Sequence, residues 1–274
     1  MNKTRRFTSN RSRVVLALCA LIVGSVSPLA AHDSGDDQAS AHAAAANNPL
    51  ANMTSYQLQN YYAPDLFGLP DESSNTAWLR FVKPFGKWLL RASLPLSTVP
   101  NTTTTTDSVS GLGDFSGFVA YLFTDPSAPQ QYGVGPLVAA PTATDDALGV
   151  DAWQAGAAGV YFNLSSPVVQ WGGLVTWQTD VSGDDNTNLA IAQPLLFFQM
   201  GKGAYLRSSG AMTFDLESNT YIVPLGFGIG KVVKSGRNVF NMWLEPQFTI
   251  LHDGVGYPEF QIFAGLNLQR LSKP

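Results

Sequence analysis

The sequence predicts an all-β fold, a transmembrane up-and-down antiparallel β-barrel of about twelve strands. Three observations carry that prediction: long stretches with apolar residues at every second position, a secretory signal at the N-terminus, and connections whose charge alternates along the chain. A period of two belongs to strands, because successive side chains leave opposite faces. The length of the stretches points to a bilayer. Strands in soluble sheets stop near about 5 or 6 residues, whereas tilted strands that cross a membrane need roughly 9 to 11.

The C-terminal part displays the pattern most plainly. Tyr221, Val223, Leu225, Phe227 and Ile229 alternate with Pro224, Gly226, Gly228 and Gly230. Phe240, Met242, Leu244, Pro246, Phe248 and Ile250 alternate with Asn241, Trp243, Glu245, Gln247 and Thr249. Pro258, Phe260, Ile262, Ala264, Leu266 and Leu268 then face away from Glu259, Gln261, Asn267 and Gln269. The glycines lie within a strand and keep its inner face small, so they are not a phosphate-binding loop.

At the N-terminus, Lys3, Arg5, Arg6, Arg11 and Arg13 precede an apolar run from Val14 to Val26, and Ala30-Ala31 follow. That run of 13 residues is short of the roughly 18 a spanning helix requires, so residues 1–31 read as a cleaved signal peptide. The single cysteine, Cys19, lies inside it and follows Leu18, too large for a lipoprotein cleavage site. The mature chain then has no disulfide and no cysteine-based metal site. Residues 32–48, rich in Ala, Asp, Ser and Gln without periodicity, read as a disordered periplasmic leader, and residues 49–274 as the barrel.

Strand-like stretches fall at 54–62, 75–83, 87–96, 112–124, 131–139, 152–163, 167–179, 188–199, 203–215, 219–232, 238–251 and 256–269. An even count suits a bacterial barrel with both termini in the periplasm, and ten to fourteen strands stay open because the first two stretches and the fifth are weakly patterned. One set of alternate connections is long and acidic, carrying Asp65, Asp71, Glu72, Asp107, Asp145, Asp146, Asp180, Asp184 and Asp185. The other is short or basic, with Lys83, Lys87, Lys202, Lys234 and Arg237. Long loops belong outside the outer membrane and short turns in the periplasm. The acidic loops read first as solvated, and second as ligands for divalent cations that bridge lipopolysaccharide phosphates. The threonine run Thr102 to Thr106 reads as a loop tip. Trp153, Tyr161, Trp171, Trp177, Tyr205, Phe214 and Tyr221 gather toward strand ends, where interfacial girdles form.

The polar half of the strands supplies the candidate lumen: Gln178, Arg207, Ser209, Thr213, Glu245, Gln247, Gln261 and Asn267, with Arg207 facing carboxylates such as Glu245. Trp243 and Phe263 on the same face favour partial plugging or a greasy solute. Twelve strands fall between barrels of eight, filled by side chains, and open porins of sixteen or more. Catalytic candidates are sparse. Of the histidines His32, His42 and His252, only the last lies beyond the leader, and His252 with Asp253 and the pair Asp145 and Asp146 share residue types, but no flanking sequence, with barrel proteases of the omptin type. The chain is therefore not expected to be an enzyme, nor to hold a metal or cofactor. A net charge of −4 without a basic patch argues against nucleic acid as a partner.

Several segments carry a resemblance: Asn48-Pro49-Leu50-Ala51, Gly111-Leu112-Gly113-Asp114, Tyr132-Gly133-Val134-Gly135-Pro136 with Pro141-Thr142-Ala143-Thr144, Gln193-Pro194, and Val223-Pro224-Leu225-Gly226-Phe227-Gly228-Ile229-Gly230-Lys231. In this order, the chain resembles an uncharacterised family of proteobacterial outer-membrane barrels often mislabelled neuromedin U. It is distantly similar to outer-membrane proteins of phenol-degradation pathways, of the MetA type. Unlike many such barrels, it ends on Gln269 to Pro274 rather than on an aromatic residue. The resemblance implies an outer-membrane barrel, with lipid, lipopolysaccharide and the barrel assembly machinery as partners, and a transport role without naming a solute. Pattern and resemblance together lead to the expectation of a passive channel for small solutes, hydrophobic or aromatic ones among them. A structural barrel with a filled lumen is the first alternative, and a hydrolase using His252 the second.

Overall fold

The computed structural model describes residues 45–101, 108–183 and 186–271. The signal peptide, most of the leader, the threonine run, Asp107, Asp184, Asp185 and the last three residues lie outside the described residues.

Among the described residues, fifteen strand segments build one antiparallel sheet. β1 (Met53–Leu66), β2 (Ser74–Phe85) and β3 (Trp88–Pro100) come first. β4 (Ser108–Leu112) and β5 (Phe115–Leu122) both pair with β3 and continue each other across Gly113 and Asp114. β6 (Gln130–Ala140), β7 (Gln154–Asn163), β8 (Val169–Asp180) and β9 (Asn188–Gly201) follow. β10 (Ala204–Ser208) and β11 (Met212–Asp215) share the edge of β9. β12 (Thr220–Gly226) and β13 (Gly228–Ser235) share the edge of β14 (Asn238–Asp253). β15 (Pro258–Leu271) pairs with β14 and with β1, and so closes the sheet. Three staves are interrupted, twelve staves make the barrel, and each expected stretch has its stave. The weakly patterned ones are real: β1, β2 and β6 run 14, 12 and 11 residues.

The two faces are inverted relative to a soluble protein. Leu58, Leu79, Leu96, Val134, Val175, Leu196, Leu206 and Phe248 are exposed on the outer surface. Gln59, Ser93, Gln131, Gln170, Asn241, Glu245 and Gln247 are buried. Water penalises an apolar exterior of this extent, and hydrocarbon does not; a closed barrel also leaves no sheet edge unpaired in lipid. Val175 stands halfway along β8 and points outward. Replacing it with Arg is expected to destabilise the barrel by about 2–4 kcal/mol, the cost of a cation at the bilayer midplane. Urea unfolding in lipid vesicles reads that loss, and an unchanged midpoint would place Val175 outside the hydrocarbon.

Aromatic belts mark both rims. At the short-turn end Trp88 meets Tyr121 edge-on at 5.0 Å, Tyr121 meets Phe123 at 5.4 Å, and Phe123 stacks with Tyr132 at 5.8 Å. Tyr161 and Trp171 extend the belt at 5.3 Å. At the other rim Trp177 donates to Asn188 Oδ1 at 2.9 Å, and Phe214 stacks on Tyr221. Tyr205, expected in a girdle, does not belong to one. Its side chain is fully buried within the barrel, in the space left by Gly230, and its hydroxyl donates to Asn241 Oδ1 at 2.5 Å. The short turns need left-handed backbone, which Gly86 (φ +61) and Gly236 (φ +59) supply without steric cost.

At the opposite rim, Asp114 interrupts the fourth stave to pin the loop that follows β6. Its Oδ1 accepts from Thr142 N (2.9 Å) and Ala143 N (3.0 Å), and its Oδ2 from Val150 N (2.7 Å). Thr142 Oγ1 in turn accepts from Phe115 N at 2.7 Å. Two of the segments behind the family resemblance thus meet in a single loop latch.

Candidate functional site

The barrel interior has a floor, a charged girdle and a cavity between them. Residues 45–47 form one helical turn, and Asn48 Oδ1 accepts from Leu50 N at 2.9 Å to turn the chain toward β1. Asn241 Nδ2 donates to Ala46 O (3.3 Å) and Asn47 Oδ1 (2.9 Å), and Gln269 Nε2 donates to Ala46 O (2.8 Å). Asn48 Nδ2 donates to Gln131 Oε1 at 3.0 Å. Leu50, 1% exposed, packs in a buried cluster with Leu89, Leu122, Phe162, Phe197 and Tyr205. Residues 45–51 therefore close the short-turn end from within, tethered to β6, β14 and β15. Residues 45–48 belong to the stretch that composition alone reads as disordered leader. What holds them are single amide side chains on staves distant in sequence.

Above the floor, Glu245 is fully buried and accepts four hydrogen bonds: from Arg207 Nε and Ser209 Oγ at Oε2, and from Ser209 N and Gln247 Nε2 at Oε1, at 2.7 to 2.9 Å. Gln247 Oε1 then accepts from Gln261 Nε2 at 2.7 Å. The Arg207 guanidinium lies 4.4 Å from the ring of Trp243 and 5.2 Å from that of Phe263. Gly226, Gly228 and Gly230 make this arrangement possible. A Cβ at these positions would collide with Glu245, with Glu245 and Arg207, and with Tyr205. Gly265 leaves the corresponding space for Trp243. The room that the glycine row provides is thus taken up by large side chains from neighbouring staves.

Across the lumen stand two further arginines. Arg80 donates to Gln59 Oε1 and lies 4.6 Å over the Trp78 ring. Arg91 lies 5.8 Å from the Phe118 ring. Arg80 opposes Ser93, two residues along β3 from Arg91, so the two guanidiniums rise from diagonal positions on adjacent staves. Tyr61 stacks on Phe263 at 4.2 Å with planes 5° apart. A cavity of about 130 Å³ runs between the floor and this girdle, lined by Arg80, Arg91, Arg207, Gln59, Phe118 and Trp243 among others.

Of the residues singled out from sequence, Arg207, Ser209, Glu245, Gln247 and Gln261 form one connected network, and Asn267 is buried two residues from Gly265. Gln178 bonds Gln154, and Thr213 lies beside buried Ile222 on the inner face. The catalytic candidates are not assembled. His252 is on the eleventh stave with its ring stacked on Phe67 at 3.4 Å, and Asp253, the next residue, leaves the opposite face. Asp145 and Asp146 lie half a circumference away, between the fifth and sixth staves, where Asp145 caps a short 3-10 turn by accepting from Ala147 N at 3.0 Å. Among the described residues no cluster of three His, Cys, Asp or Glu side chains is placed to hold a metal. Sequence reasoning missed Arg80, Arg91, Tyr61 and the floor. A lone arginine within each spanning strand, on the face away from Leu79 and Leu90, was the available signal.

Fold and interior together define a class: a monotonic twelve-stave membrane barrel of the outer-membrane type, with an inward-folded N-terminal segment and a charged lumen. Among solved structures, the chain is similar to the COG4313 outer-membrane channel from Pseudomonas putida F1, with a TM-score of 0.56 and 14% identity over 80% of this chain and 95% of that one. The CymD monoaromatic hydrocarbon channel matches at a TM-score of 0.41 and 11% identity, over 89% of this chain and 94% of that one. The first likeness establishes a shared fold. No protein-family model and no curated protein sequence matches the chain.

Proposed function

We propose that the protein is a passive outer-membrane channel for small solutes, hydrophobic and aromatic ones among them. One observation carries this reading: a closed barrel with an apolar exterior holds a cavity walled by arginines, amides and aromatic rings. Such a lining suits solutes that combine a ring with a polar group, since the rings take apolar surface and the charged groups orient what passes. The fold it shares with a solved channel agrees with that use. Export to the outer membrane, insertion by the barrel assembly machinery and an acidic outer rim facing lipopolysaccharide belong to the same reading. It assigns no catalytic step to His252.

The network of Arg207, Glu245, Gln247 and Gln261 favours a second reading, a filled structural barrel, because fully bonded buried groups rigidify an interior. Single-channel recording of the purified protein in planar bilayers decides between them. The channel reading expects discrete conductance steps, enlarged when the floor is removed. Silence from both forms would establish the filled barrel.

A further inference from the structure

We propose that the cavity is a binding site for a small aromatic carboxylate, with Arg80 and Arg91 holding the carboxylate and the wall of Phe118, Leu174, Leu195 and Phe197 receiving the ring. The inference deepens the channel reading and rests on it. Its starting point is a charge imbalance. Arg80, Arg91 and Arg207 all line the cavity, yet the carboxylate of Glu245 is committed to Arg207 and Ser209. Among the described residues, neither Arg80 nor Arg91 forms an ion pair with a carboxylate, and Arg80 Nε is buried without a hydrogen-bond partner. Cations withdrawn from bulk water need a counter-charge, and paired guanidiniums present the planar fork that a carboxylate fits.

The apolar part of the cavity wall, set among amides such as Gln57, Gln59 and Gln193, fixes the body of the ligand. Phe118 and Phe197 are nearly fully buried, and Leu174 and Leu195 pack beside them. This surface offers nothing to a hydrated inorganic anion. The cavity volume of about 130 Å³ is close to the roughly 150 Å³ that takes up a benzene ring in an apolar protein interior. Guanidiniums set beside rings, with Arg91 5.8 Å from Phe118, select a one-ring acid over either a neutral arene or a small aliphatic acid.

Benzoate is the probe, and isothermal titration of the folded full-length protein in detergent at low salt is the measurement. Benzoate is expected to bind at least about tenfold more tightly than benzyl alcohol, which lacks the charge, and than acetate, which lacks the ring. Arg80→Gln and Arg91→Gln are each expected to weaken benzoate about tenfold or more, while Lys83→Gln, on the exposed face of β2 near its short-turn end, leaves it unchanged. Heat-modifiable migration verifies that each variant is folded, and the three-ligand comparison on the wild-type protein stands even if one variant is not. Equal affinity for benzoate and benzyl alcohol, equal affinity for benzoate and acetate, or undiminished benzoate binding in both arginine variants overturns the site. Conductance is read separately, so a barrel that conducts but ignores benzoate loses this site and keeps its channel.

Discussion

Replacing Glu245 with glutamine is expected to destabilise the barrel by about 3–5 kcal/mol, the range for stripping one partner from a buried ion pair. Glu245 is 0% exposed and the Arg207 side chain 7%, so little water reaches the pair to replace the lost charge. The neutral amide is also a poor substitute at the other oxygen. Its NH2 group would face either Ser209 N and Gln247 Nε2 or Arg207 Nε and Ser209 Oγ, and in both orientations donor meets donor. Guanidinium-induced unfolding in vesicles reads the stability loss. The same substitution removes the negative charge that balances Arg207, so the reversal potential of the proposed channel in a salt gradient should move toward anions. Removing both charges in Glu245→Leu with Arg207→Met should recover much of the stability, since apolar groups of similar volume replace buried pairs at little cost. If the single variant is as stable as the parent and the double variant no better, the pair is not a structural keystone of the lumen.

The architecture of the barrel was legible because a membrane imposes a simple rule on each strand. Apolar residues must face out at every second position, and Leu225, Phe248 and Leu266 obey it without exception from tertiary packing. The connections were legible for the same reason, since long loops and short turns alternate by geometry. The interior follows no such rule. A side chain known to point inward carries no label for its partner, so Arg207 and Glu245 were recognised as a facing pair, but Arg80, Arg91 and Tyr61 were not. The floor was the least legible part. Ala45 to Ala51 has no period and a single large apolar side chain, Leu50, and it is ordered by Asn241, Gln269 and Gln131, which lie as much as 223 residues away. The short segments behind the resemblance acquire physical reasons once the fold is in view. Asn48-Pro49-Leu50 forms the floor, Gly113-Asp114 with Thr142-Ala143 forms the loop latch, Gln193 Nε2 caps Ser209 O at the break in the ninth stave, and Gly226 to Gly230 make sockets for the girdle. Tyr205 illustrates the limit from the other direction: its position near a strand end suggests an interfacial ring, and only the pairing with Gly230 reveals the cavity it fills.

Deleting residues 45–51, joining residue 44 to Asn52, is expected to raise the unitary conductance several-fold. The floor lies at the short-turn end, where its backbone is gripped by Asn241 and Gln269 and its Leu50 side chain is inserted among Leu89, Leu122 and Phe162. The barrel does not depend on it, because the closing seam between β1 and β15 begins at Met53 opposite Leu271 and runs through continuous pairs to Tyr62 opposite Ile262. The deletion should therefore leave heat-modifiable migration intact while the mouth opens. Leu50→Asp tests the same idea with the backbone tethers in place. Burial of a leucine contributes about 1.5–3 kcal/mol, and an aspartate there adds an unpaired charge, so the floor should lift for part of the time. Recordings should then alternate between the parental conductance and the larger one seen in the deletion. Identical conductance in the parent and the deletion would mean that the narrowest point lies higher, at the girdle of Arg207, Trp243 and Phe263, and that the floor is only an anchor for the start of the first stave.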